Sequence, residues 1–346
     1  MRPRSRFQVV VSKSRFFFHK SVLMNKYKEI FGVDISKDVF DVHGSKSGHD
    51  QFKNNPSGFK SFLKGLPKES LVVMEVTGYY HYRLAQFLFK QGFLVSVVNP
   101  LAVKRFIQMK LAKVKTDKSD AKAIWDYGKI NEVPLYTALT DVQSECLQLF
   151  RLMDSCLKKR TAIKNKIHGE EVLGTLSKYV YRSLVRIKKY LDKEILGIEK
   201  KLLSLVKQEQ QVQLTLLTSI PGIGLKTALF MIVITDGFDT FETASQLCSY
   251  AGITPTIRES GSSVRGRARI RKVGNRKLKN LLFLCSFTAC RHNKACREIY
   301  ERIVNKGKSK KLALIAVSNK LLKQAFAIAK SGHPYDSTFV AVLKVN

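Results

Sequence analysis

The stretch EIFGVDISKDVFDVHGSKSGHDQFKNN, Glu29–Asn55, places three strand-like segments in quick succession. EIFGVDIS is a short apolar run carrying Gly32 and Asp34, the pattern of a buried strand. VFDVHGS and HDQFKNN read as two further strands, and Pro56 then opens a helix, PSGFKSFLKGL, that closes near Gly65. Outward from there, SLVVMEVTG reads as a strand and YYHYRLAQFLFKQG as an amphipathic helix closed by Gly92. FLVSVVNP is again a strand, and helices carry KVKTDKSDAKAIWDYG, Lys113–Gly128.

Three strands followed by alternating helix and strand is the element order of the ribonuclease H fold, so residues 25–130 are expected to form an α/β domain around a mixed sheet. Residues 141–213 show helical periodicity with few glycines and no proline, which predicts an antiparallel helical hairpin or coiled coil. Residues 214–346 open with TSIPGIGLKTALFMIVI, pass through a basic Gly- and Ser-rich stretch and end in helices, a mainly helical domain. Within it, NLLFLCSFTACRHNKACREIY, Asn280–Tyr300, reads as one amphipathic helix. Its Cys285, Cys290 and Cys296 act there as small apolar residues and do not join His292 in a zinc site. In residues 1–24, Lys13, Arg15, His19 and Lys20 interrupt every apolar run, so the core of a signal peptide is missing. Patterned sequence starts after Met24, and this basic extension is expected to be dispensable.

With 346 residues and 45% hydrophobic content, the chain can bury substantial cores. Its 61 Lys and Arg against 27 Asp and Glu leave +34, an excess suited to a polyanion, with nucleic acid the leading partner. No apolar run approaches the ~18–20 residues that cross a bilayer, so no membrane partner is expected. Six cysteines without a CxxC pair fit reduced thiols in a cytoplasm.

So basic a chain makes its acids informative. Asp34 ends one apolar strand and Glu75 occupies the equivalent place in VVMEVTG, so both can project from neighbouring strands of one sheet. Asp117 and Asp120 are three apart and share a face of a helix for which Thr116 is the expected N-cap. Four carboxylates brought together repel unless a cation joins them, and hard oxygen ligands suit a pair of Mg²⁺ or Mn²⁺ ions acting on a phosphodiester. Lys110, Lys113, Lys115, Lys118 and Lys122 around them would hold a nucleic-acid backbone. Taken singly, each acid also fits a plain role at a helix start or turn. Asp38 falls in the expected turn, Asp41 is expected to face outward, and Asp126 remains a competitor for the site.

In the second half, SIPGIGLKTA resembles a helix-hairpin-helix turn in which Gly222 and Gly224 let backbone N–H groups approach a phosphate. Arg265, Arg267, Arg269 and Arg271 alternate, so on an extended segment they share one face, and Lys272, Arg276, Lys277 and Lys279 extend it. Ser260, followed by Gly261, lies just upstream as a candidate nucleophile. From the residues alone, Ser262 and Ser263 qualify equally.

The ordered set GVDISKD, MEVTGYYHYRLAQFL, VVNP, KTDKSDAKAI, PGIGLKTA, SYAGITP, SG and KVGNRKLKNLL resembles the DEDD-type insertion-sequence transposases of the IS-one-ten family, which includes the pilin-gene invertases. The resemblance spans Lys28 to Tyr335. It implies a RuvC-like N-terminal domain, a coiled-coil connector and a C-terminal transposase domain. By motif match, Asp34, Glu75, Asp117 and Asp120 would bind the metal and Ser260 would become linked to DNA. It further implies donor and target DNA as substrates, a structured non-coding bridge RNA as guide, homo-oligomers from dimer to tetramer, and residence in a bacterial cytoplasm at the nucleoid. Two positions depart from the family pattern: Arg271 stands before the Lys of KVGN, and Lys279 replaces a frequent arginine. A metal-dependent nuclease with a structural Ser260, or a non-catalytic nucleic-acid-binding relative, fits the same acids and cations.

Overall fold

The computed structural model describes residues 27–110, 116–174, 177–256, 259–260, 264–265, 269–270 and 273–338. The chain falls into two compact units that divide between Ala138 and Leu139. One is mixed α/β around a five-stranded sheet and the other is mainly helical, in keeping with the sequence pattern. The basic extension, residues 1–24, lies outside the described residues.

In the first unit β1 (Ile30–Ile35), β2 (Val39–Gly44) and β3 (Gly48–Lys53) form an antiparallel meander. It is followed by α1 (Pro56–Lys64), β4 (Leu71–Glu75), α2 (Tyr80–Lys90), β5 (Leu94–Val98), α3 (Pro100–Met109) and α4 (Asp117–Ile130). The strand order is β3-β2-β1-β4-β5, with β4 parallel to both β1 and β5. Alternation divides each strand between two faces. Phe31, Val33, Phe40, Val42, Val72 and Met74 enter one core with Phe59 and Phe62 of α1 and Leu84 and Leu88 of α2. Leu71, Val73 and Val98 face the other way, against Val103 of α3 and Ile124 of α4. Asn55 caps α1, its side chain accepting from the Gly58 amide at 2.9 Å, and Pro56 occupies the first turn, where its missing N–H costs nothing.

The second unit begins with two long helices packed on each other, α5 (Asp141–Val172) and α6 (Lys178–Thr218). Leu191, Ile195, Ile198, Leu202 and Leu205 of α6 recur at alternating spacings of four and three and bury against Cys146, Phe150, Met153 and Cys156 of α5. Instead of closing at Gln213, α6 continues to Thr218 across a break at Gln210 (φ −138°, ψ 40°). Then come α7 (Leu225–Thr235), α8 (Ala244–Ala251), short strands of which four are seen among the described residues, and α9 (Arg276–His292), α10 (Lys294–Asn305) and α11 (Lys310–Ser331). The strands β6 (Pro255–Thr256) and β9 (Arg269–Ile270) pair with each other, as do β7 (Glu259–Ser260) and β8 (Val264–Arg265).

One further expectation is corrected here. The single helix expected over Asn280–Tyr300 is split at Asn293, whose backbone leaves the helical region (φ −115°, ψ 109°) and whose side chain caps α10 by accepting from the Cys296 amide. And α11, at 22 residues, is long and apolar enough by composition to span a bilayer, although no single apolar run in the sequence announces it. Its Ala313, Leu314, Val317, Leu321, Leu322 and Ala325 are buried within the unit, as in the core helix of a globular domain.

Candidate active site

Gly32 determines where α4 can lie. A Cβ at this position would stand 2.2 Å from the Trp125 amide nitrogen and 2.3 Å from the Ala121 carbonyl oxygen, so helix and strand meet backbone to backbone. Ala121, Ile124, Trp125 and Gly128 form the sheet-facing stripe of α4, and the same helical spacing carries that stripe back to Asp117 and Asp120 in the first turn. Thr116 caps this turn, as its sequence position predicts. Its hydroxyl accepts from the Ser119 amide at 3.2 Å, while the Ser119 hydroxyl accepts from the Thr116 amide at 2.7 Å.

On the sheet, Asp34 shares the face of Gly32 by alternation. The parallel register Val33↔Met74 carries forward to set Glu75, the last residue of β4, beside Asp34 at the carboxyl edge of the strands, on the face shared with Leu71 and Val73. Asp34 is pushed up from 3.8 to about 6, first by burial and then by the charges of Asp120, Asp117 and Asp41. The structure thus brings Asp34, Asp117 and Asp120 within mutual electrostatic reach, with Glu75 on the adjoining strand.

Asp41 does not face outward as expected. It pairs directly with Asp34 across the hairpin, is only 4% exposed, and accepts hydrogen bonds from Gln51 Nε2 at 3.2 Å and from His49 Nε2, when that nitrogen carries the proton, at 2.8 Å. The face opposite the aromatic core is covered by α4, so a residue pointing away from that core still points into protein. The signal was present in the sequence: Phe40 and Val42 alternate with Asp41 and His43, which fixes Asp41 to the face of Asp34. His43 packs edge-on against Trp125 at 5.2 Å, and its pKa is lowered by burial and then by Lys122. Asp126 is taken by an ion pair with Lys110 at 2.7 Å, which removes Lys110 from the set of free phosphate-binding cations.

Lys118 and Lys122 lie exposed on α4, whereas Lys113 and Lys115 fall outside the described residues. In the second unit, Ser260 is on β7, paired with Val264 of β8. Arg265 is on β8 and Arg269 on β9, strands of two different sheets. Gly261, Ser262, Ser263, Arg267, Arg271 and Lys272 lie outside the described residues. Gly222 has φ +105°, and a Cβ there would meet the Ala289 Cβ at 2.7 Å, so this glycine seats the PGIG turn on α9. Gly224 precedes α7 with open space around its Cα. Arg276 is exposed at the start of α9. Lys277, expected on the nucleic-acid face, is instead directed inward. It pairs with Asp154 at 2.7 Å, donates to the Phe150 carbonyl at 3.2 Å and sits over the Phe150 and Phe230 rings at 4.7 and 4.8 Å, its pKa lowered by burial.

The carboxylate oxygens around Asp34 are the donor type that Mg²⁺ and Mn²⁺ take, and mutually repelling acids around a half-buried carboxylate are what a cation relieves. Among the described residues, no three His, Cys, Asp or Glu side chains already converge closely enough to enclose an ion. The acids fit a divalent cation by donor chemistry.

Two family models match the chain, a DEDD transposase model of the IS110 type over residues 31–174 and the transposase IS116/IS110/IS902 family over residues 214–301. The pilin gene-inverting proteins of Moraxella lacunata and Moraxella bovis are each 28% identical over 321 residues, covering 89% of this chain and 98% of theirs. The transposase for insertion sequence element IS1111A of Coxiella burnetii is 26% identical over 296 residues, covering 77% of this chain and 79% of its own. With one model on the acid-bearing sheet and α4, the other on the region that carries the serine, and relatives aligned along nearly the whole length, the chain belongs to the IS110 family of transposases.

Proposed function

We propose that the chain is a metal-dependent DNA transposase that cuts and rejoins strands, with Asp34, Glu75, Asp117 and Asp120 holding the metal and Ser260 as the nucleophile. The supporting observation is the seating of α4 on Gly32, which sets the first-turn acids of the helix near the half-buried Asp34. When bound, Mg²⁺ or Mn²⁺ supplies positive charge at the scissile phosphate. Asp34 and Glu75 hold their places on the strand ends, and Asp117 and Asp120 approach from the capped helix turn. Lys118 and Lys122, together with Lys113 and Lys115, steady the flanking phosphates. The Ser260 oxygen bonds to phosphorus as the bond to the 3′-oxygen breaks; the serine gives up its proton and the leaving 3′-oxygen takes one up. The resulting phosphoserine ester conserves the energy needed for rejoining.

The finer reading has a RuvC-like fold in the first unit, supported by the strand order, and a coiled coil of α5 and α6, supported by the four-three spacing of the buried α6 residues. Donor and target DNA and a structured guide RNA are the polyanions, in line with the +34 charge. A homo-oligomer of two to four chains at the nucleoid completes the assembly. Incubation with element-end DNA and Mg²⁺, followed by a denaturing gel, tests the reading. A protein–DNA adduct that disappears in Ser260→Ala and Glu75→Gln supports it. Cut DNA without adduct, at equal rates in parent and Ser260→Ala, indicates water as nucleophile and overturns it.

A further inference from the structure

A cavity of about 890 Å³ lies wholly within the second unit, between α8, α10, α11 and the β6–β9 pair. Its floor is aliphatic, with Ile253, Ile270, Ile303, Ile315 and Ala316, and among the described residues no carboxylate lines it. Arg302, Lys311, Lys320 and Lys323 stand around it. On α11, Leu312, Asn319 and Lys323 lie near the middle of the cavity-facing stripe, with Lys311 and Lys320 on its two flanks, and Lys311 to Lys323 spans about 18 Å of helix axis. That length suits a ligand with repeated anions better than a single charged head. The volume is in the range of pockets that enclose a sizeable organic group, roughly 300–1,000 Å³.

The cavity is continuous with strands already of interest. Pro255 of β6 and Ile270 of β9 both line it and pair with each other, and these strands flank the segment that bears Ser260 and the alternating arginines. We propose that this cavity binds unstacked nucleotides of a single nucleic-acid strand, the bases lying against the isoleucines and the phosphates on Lys311, Lys320, Lys323 and Arg302. Asn319 and Ser249, also in the wall, offer hydrogen bonds to base edges. The inference rests on the nucleic-acid-binding part of the proposed function and on neither the metal nor the serine.

The test is fluorescence anisotropy on the full chain with two probes, a labelled single-stranded oligothymidylate and a strand of equal length whose sugars carry no base. Ala316→Trp fills the floor, and it is expected to weaken oligothymidylate binding about tenfold while leaving the base-free strand unchanged. The Lys320→Gln and Lys323→Gln double variant, which leaves the floor intact, is expected to lower the slope of log affinity against log salt by about 1 to 2 for both probes. Parent-like binding of oligothymidylate by both variants overturns the site while leaving nucleic-acid binding by the chain intact. So does an equal loss on both probes with Ala316→Trp. A parent that binds neither strand removes the proposed function along with it.

Discussion

Replacing Asp34 with Asn is expected to stabilise the metal-free protein, and the gain should depend on pH in a defined way. A carboxyl raised from 3.8 to about 6 in the folded chain binds its proton more tightly there than when unfolded. Its contribution is therefore intact below pH 3.8, is lost as pH rises through about 6, and stays lost above. The full difference corresponds to about 3 kcal/mol at pH 8, an upper bound because solvent reaches part of the side chain. Asparagine has no charge to lose and keeps an oxygen able to accept from the Ile35 amide, so the variant should match the parent near pH 4 and exceed it by up to about 3 kcal/mol at pH 8. For a unit of this size that is roughly 5–10 °C in Tm. Thermal melts in chelator at pH 4, 6 and 8 measure it. Mg²⁺ added at pH 8 should raise the parent's Tm and have a much smaller effect on Asp34→Asn. A variant less stable than the parent at pH 8, or more stable by the same amount at pH 4 and 8, would refute the claim that Asp34 is held among like charges.

Gly32→Ala drives a methyl into the backbone of α4 and should cost about 3 kcal/mol or more, with Mg²⁺-dependent strand cleavage lost even in protein that remains folded; chemical denaturation and a cleavage assay check both. Thr116→Ala removes the cap of the turn holding Asp117 and Asp120, for an expected loss of about 1 kcal/mol in urea melts, with Thr116→Ser restoring most of it. Gly222→Ala meets both a positive φ and the Ala289 methyl, so it should destabilise by about 2 kcal/mol or more, and Ala289→Gly in the same chain should recover only the part due to the contact. Lys277→Met should lower Tm by stranding Asp154, yet leave the salt slope of DNA binding unchanged, whereas a drop of about one in that slope would return Lys277 to the phosphate face.

Local patterns made much of the first unit legible. The alternation in VFDVH, Pro56 at a helix start and Thr116 ahead of an acid-bearing turn each depend on neighbours a few residues away. Asp41 was misplaced because its burial depends on α4, a helix more than seventy residues downstream, whose close approach depends in turn on a hydrogen at Gly32. Lys277 was misplaced for a similar reason: in sequence it continues a run of cations, while Asp154, Phe150 and Phe230, which turn it inward, belong to α5 and α7. The break at Asn293 competed with a strong apolar period across Asn280–Tyr300, and an asparagine side chain bonding its own backbone prevailed. The four acids read as one site only when taken together, because each taken singly also fits a helix start or a turn.

The contact at Gly32 also limits how the site can be retuned. Where a strand and a helix are separated by side chains, a methylene added or removed adjusts their spacing in small steps. Here that adjustment is missing, because no side chain fills the gap. A change in ion size or in substrate reach would have to come from carboxylate length, aspartate exchanged for glutamate, or from redrawing the path of the chain ahead of Thr116.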